Sequence, residues 1–123
     1  MGQKSPYKPV ALVVEDDVRQ REWVMTLLEE SEMDVFQCDS AEGALRILEK
    51  MGACVSLMFT DVNLVGKMDG IELAHFATQC CPNIHVIVTS GRALTKSLPE
   101  GAIFMPKPWL PLDVLREAER SQH

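Results

Sequence analysis

The stretch "VALVVEDD", Val10 to Asp17, decides how this chain is read. Five apolar residues, three of them valine, run straight into Glu15, Asp16 and Asp17. A short β-branched run of that kind reads as a strand covered on both faces. Three adjacent carboxylates repel one another. A hard cation would offset that repulsion, so the run points to a site as well as to a strand.

The pattern recurs along the chain. Further apolar runs are "DVFQC" (34–38), "VSLMFT" (55–60), "IHVIV" (84–88) and "AIFM" (102–105). Between them lie helical stripes: Trp23, Val24, Leu27 and Leu28; Ala44, Leu45, Leu48 and Met51; Ile71, Ala74 and Ala77; Leu112, Leu115 and Ala118. Asp39 with Glu42, and Asp69 with Glu72, have capping-box spacing, and Gly52 and Pro82 sit where helices should stop. Strand and helix alternate five times, which predicts an α/β fold with a parallel sheet covered on both faces. The length predicts one domain, residues 1–123, with a core over about 10–121 and no room for a second domain after the last helix. Met1 and the short lead before Val10 favour a whole protein.

In open sheets of this type ligands lie beyond the carboxyl ends of the strands, where strand order reverses. The residues there are Glu15 and Asp16 after the first strand, Asp61 after the third, Thr89 after the fourth and Lys107 after the fifth. Clustered carboxylate oxygens suit magnesium, which takes one or two carboxylates and keeps several waters. A carboxylate such as Asp61 can act as a nucleophile and form an acyl phosphate. Lys107 would pair with a phosphoryl oxygen and Thr89 would donate a hydrogen bond to another. Asp17 reads as the cap of the first helix rather than a ligand.

Taken together, "LVVEDD", "FTDVN", "MDGIELA", "VIVTSG" and "KPW" resemble a response-regulator receiver domain of the chemotaxis-regulator type, over Val10 to about Ser121. The resemblance implies a flavodoxin-like, doubly wound five-stranded sheet in the order 2-1-3-4-5 with five helices. It implies Asp61 as phosphoacceptor, Asp16 as direct magnesium ligand, Glu15 acting through water and Asn63 offering a backbone carbonyl. Thr89 and Lys107 would be the switch hydroxyl and the lysine. Ser90 would give the phosphoryl group steric clearance. Phe104 would be the aromatic whose rotamer follows activation, and Lys107–Pro108 would be a cis peptide. The implied partners are a histidine kinase or histidine phosphotransfer protein and a downstream protein, with the chain a monomer or weak dimer. Its only reaction would be its own phosphorylation and dephosphorylation.

Two departures from the family stand out. The loop after Asp61 is about one residue longer, with Val65 where many receivers have Pro. The segment "GRALTKSLPEGA" is several residues short, with Ala93, Leu94 and Leu98 as its apolar anchors and Pro99 closing it, so a short or irregular fourth helix is expected.

Composition removes other classes. The net charge of −6 and the lack of a Lys/Arg cluster argue against nucleic acid. Cys38, Cys54, Cys80 and Cys81 have no metal-finger spacing and read as free thiols in a reducing cytosol. The leader has no apolar h-region, and Pro6 stands where a myristoylation motif needs a hydroxyl. No apolar run reaches the ~18 residues of a membrane span. His75, His85 and His123 lack partners for catalysis, and Lys67 and Arg92 read as solvated loop cations. Trp23 reads as core, while Trp109 is equally suited to core or partner surface. An aspartyl phosphatase needs a second Asp at position 63, where Asn63 stands, and no GxGxxG follows the first strand. The remaining alternative is a receiver-like binding module that works without phosphorylation.

Overall fold

The structure is a computed structural model that describes residues 8–122. The leader features, Gly2 and Pro6, and His123 lie outside the described residues. Five strands, β1 (Val10–Val14), β2 (Asp34–Cys38), β3 (Val55–Asp61), β4 (His85–Ser90) and β5 (Ile103–Pro106), form one parallel sheet in the order β2-β1-β3-β4-β5. Four helices are present among the described residues: α1 (Val18–Glu30), α2 (Ala41–Met51), α3 (Gly70–Cys80) and α4 (Pro111–Arg120). A short 3-10 helix, Gly52–Cys54, leads into β3.

Alternation along the strands builds two cores. Leu12, Val14, Met58, Val86 and Val88 face α2 and α3, and Ala11, Val13, Leu57, Phe59 and Ile87 face α1 and α4. This is why the central strands read as continuous apolar runs: each face is covered. β2, at the sheet edge, is mostly exposed instead.

Local chemistry sets the helix starts. Asp17 caps α1 by accepting from the Gln20 amide, and Asp69 and Glu72 form a reciprocal capping box on α3. At α2 the cap is Ser40, not Asp39: its hydroxyl accepts from the Gly43 amide at 3.1 Å. Glu42 is thereby released from capping and turns to a different loop.

Three further expectations change. The segment expected to hold a short or irregular fourth helix, residues 91–102, forms no helical turn, so the count is four rather than the five the resemblance implied. Gly91 and Pro99 leave fewer than two turns of chain between them, too little for a helix with so few buried anchors. Trp23 is not core; it stands 48% exposed on the outer side of α1, while Val24, Leu27 and Leu28 fill the interior. Leu112 is likewise exposed, and Val114, Glu117 and Ala118 are the buried residues of α4.

Candidate functional site

The carboxyl ends of β1, β3, β4 and β5 converge on one acidic cluster. Glu15, Asp16 and Asp61 each place a carboxylate oxygen within 4.8 Å of the others. Asp61 ends β3 and lies beside Thr89 in the β3–β4 register. Lys107 follows β5, and its Nζ donates to Asp61 Oδ2 at 2.8 Å and to Glu15 Oε1 at 3.3 Å. Pro108 follows it through a cis peptide bond.

Each group is held from behind. The Glu15 amide donates to the Cys38 carbonyl at 3.0 Å, and Glu15 Oε2 accepts from the Asp17 amide at 3.1 Å. The Asn63 amide donates to Asp61 Oδ1 at 3.2 Å, so the loop beyond β3 reaches back to the carboxylate it follows. Gly70 opens α3 directly against the backbone of Asp61, where a Cβ would collide with the Asp61 carbonyl. The Lys107 amide donates to the Ser90 carbonyl at 2.9 Å. Ser90 is buried, and its hydroxyl accepts from the Arg92 amide.

Electrostatics match the crowding. Burial pushes Glu15 up to about 7, with the neighbouring charge of Asp61 and a side-chain bond to Asp16 adding to it. Burial opposes the charge of Lys107, yet its hydrogen bond to Asp61 and the fields of Glu15 and Asp61 win, holding its pKa above the ordinary lysine value. Among the described residues one buried side-chain polar atom is left over: Thr89 Oγ1 has no hydrogen-bond partner. A buried hydroxyl without a partner costs free energy, and an acceptor brought to it would relieve that cost.

The donor set fits a hard divalent cation: three carboxylates, all oxygen, with no soft ligand among them. The four cysteines lie elsewhere and are free.

Other residues fall as follows. Phe104 lies on β5 opposite Val88 and is 36% exposed. Trp109 packs edge-on against Phe59, with centroids 5.8 Å apart, so it belongs to the second core while also lining the surface. A cleft of about 430 Å³ beside the site is lined by Gln20, Trp23, Lys107, Pro108 and Trp109. His85 bonds the buried Glu117 at 2.9 Å, and His75 bonds the Ser97 carbonyl at 2.9 Å; neither faces the acidic cluster. Two supporting residues escaped the sequence reading. Arg21 donates to the Glu15 carbonyl at 2.8 Å from the first turn of α1, and Glu42 binds the backbone of Lys67 and Met68.

A doubly wound sheet ending in acids, a lone hydroxyl and a lysine defines a class of aspartate-centred α/β domains. Residues 11–107 match the family described as the response regulator receiver domain. The chain is 30% identical over 114 residues to the response regulator receiver protein CpdR of Brucella abortus, covering 89% of this chain and 92% of that protein. A CheY-like receiver domain from Methanospirillum hungatei superposes with a TM-score of 0.81 at 25% identity, covering 94% of this chain and 97% of the other. A receiver protein from Sinorhizobium medicae superposes at 0.85 over 95% and 96% of the two chains; at 21% identity it speaks for the fold alone. The chain belongs to the response regulator receiver family, the receiving components of two-component signalling. Among the described residues no helix is long and apolar enough to cross a membrane.

Proposed function

We propose that this protein is a phosphoacceptor response regulator, with one receiver unit over about residues 10–121, and that Asp61 is the residue phosphorylated. The observation that carries the reading is the pairing of Asp61 and Thr89 at neighbouring strand ends, with Thr89 Oγ1 buried and unpartnered. A magnesium ion held by Asp16, Asp61 and the Asn63 carbonyl, with Glu15 through water, would neutralise charge on the phosphoryl group.

The chain's own residues do the rest. Asp61 offers a carboxylate oxygen in line with the phosphorus–nitrogen bond of a phosphohistidine on the donor protein. An oxygen–phosphorus bond forms and the nitrogen–phosphorus bond breaks with its electron pair returning to nitrogen, so a donor ring already protonated on its other nitrogen leaves as neutral imidazole. Lys107 shifts from the free carboxylate to a phosphoryl oxygen as its counter-charge. Thr89 donates its hydroxyl to another oxygen, which satisfies its buried Oγ1. That movement, with Phe104 beside it on β5, biases an equilibrium between two arrangements of β4, β5 and the segment between them. Hydrolysis of the acyl phosphate resets it. The donor, a histidine kinase or phosphotransfer protein, would dock over the cleft that exposes Trp23 next to Lys107. The free thiols suit a cytoplasmic setting.

The test is intact-mass spectrometry after incubation with acetyl phosphate, with and without magnesium. The wild type should gain one phosphoryl group only with magnesium, and Asp61→Asn should gain none. A wild type that stays unmodified under every condition would instead support a binding module that works without phosphorylation.

A further inference from the structure

The loop from Val62 to Asp69 carries Asn63 to the acidic cluster, and its far side is gripped by a residue from another element. Glu42, in the first turn of α2, accepts through Oε2 from the Lys67 and Met68 amides, at 3.2 Å each. Two further observations bear on the same contact. Gly66 adopts a φ of 103°, and a Cβ there would lie 2.7 Å from Glu42 Oε1. Val65 forms an isolated parallel bridge with Ser40, the cap of α2. The loop is thus tied at four places: Asn63 to Asp61, the Gly70 amide to the Val62 carbonyl at 2.9 Å, Val65 to Ser40, and its apex to Glu42.

We propose that Glu42 is a positioning residue for the metal site: it holds the apex of the loop after Asp61 so that the Asn63 backbone stays beside the carboxylates. The proposal rests on the metal-assisted phosphorylation argued above. Its physical basis is that a loop of eight residues with φ-permissive Gly66 samples many conformations unless something outside it fixes them. One carboxylate with two backbone N–H bonds supplies charge-assisted anchoring at the apex. The Glu42 backbone amide, then the Met68 and Lys67 amides and the Lys67 charge, hold the Glu42 carboxyl below its ordinary pKa. Gly66 is the complementary part. Its backbone turns the chain over Glu42, and its missing side chain leaves room for the carboxylate.

The experiment compares the wild type with Glu42→Ala, Glu42→Gln and Gly66→Ala. Glu49→Ala, an exposed position on α2, serves as the control for charge and helix propensity. Magnesium affinity is read by tryptophan fluorescence titration. Exchange of the Lys67 and Met68 amides is read by NMR without metal. Outer residues that orient metal ligands typically change metal affinity about 10- to 100-fold. Glu42→Ala and Gly66→Ala should therefore weaken magnesium at least about tenfold and expose the two amides. Glu42→Gln, which keeps an acceptor oxygen, should fall between them and the wild type, and Glu49→Ala should match the wild type. Unchanged affinity in Glu42→Ala, with the wild type still binding magnesium and taking up phosphoryl, overturns the inference and leaves the proposed function standing. A loss in Glu49→Ala equal to that in Glu42→Ala also overturns it, because helix propensity or net charge would then explain both. A wild type that neither binds magnesium nor accepts a phosphoryl group overturns the functional reading itself, and this inference with it.

Discussion

The β1–β3 pair and the connection from β4 to β5 are built on opposite principles. Leu12, Val13, Met58 and Phe59 are buried to within 1% and paired residue for residue. Residues 91–102 have no regular structure and only three partly buried anchors, Leu94, Leu98 and Ala102. Their polar ties run to α3: Lys96 to Asp69 at 2.7 Å, and the Ser97 carbonyl to His75. The acids stand on the rigid pair. The connection to β5 has far fewer buried apolar contacts. Chemistry that needs fixed distances and a surface that changes shape would make such opposite demands on one fold.

The largest effect should come from cutting into the rigid side. Phe59→Ala removes a buried ring that also supports Trp109, and should lower unfolding free energy by about 3–5 kcal/mol in urea titration. Leu98→Ala, on a half-buried anchor, should cost about 1–2 kcal/mol. Equal losses from the two would break the comparison, since the connection would then be as tightly built as the sheet. Hydrogen exchange sharpens it. Amides of residues 93–98 should exchange at least about a hundredfold faster than those of Val86, Ile87 and Val88 in β4. Comparable protection in both would mean that the connection is ordered by something stronger than its visible contacts.

The same contrast explains what could be read in advance. The convergence of Asp16, Asp61, Thr89 and Lys107 was legible because each follows or ends an apolar run that reads as a strand. The strand order was implied only by the resemblance to receiver domains, because an apolar run marks a strand and not its neighbours. The helix missing between Gly91 and Ala102 was half legible: Pro99 and the sparse leucines announced irregularity, but not that every turn would be lost. Trp23 was misplaced because its helical spacing fits the buried stripe of Val24, Leu27 and Leu28, and only the packing of α1 on the sheet decides which edge of a stripe is wet. Asp39 and Glu42 have the spacing of a capping box, yet Ser40 is one residue nearer the helix and takes the cap. Nothing local could reveal that Glu42 would then serve a loop 25 residues away. Short-range rules see propensity and period; a carboxylate recruited across the fold is visible only in three dimensions.

The smallest expected effect lies inside the rigid region. Burial raises Glu15 from 4.5 to about 7. A raised carboxyl pKa favours folding fully below pH 4.5, and that contribution is lost as pH climbs through about 7. A bound divalent cation reverses the balance, because it binds the ionised acids and competes with the proton. Magnesium should therefore bind about tenfold more weakly at pH 6 than at pH 8, the change expected from one competing proton. Glu15→Gln should bind magnesium more weakly at pH 8 and lose most of the pH dependence. An equally steep dependence in Glu15→Gln would assign the proton to another member of the cluster. Glu15 would then be a buried support for Lys107 and no longer the group that couples metal to pH. The rigid side would in that case be tuned by the lysine pair alone, which the 2.8 Å contact between Lys107 and Asp61 would supply without help from Glu15.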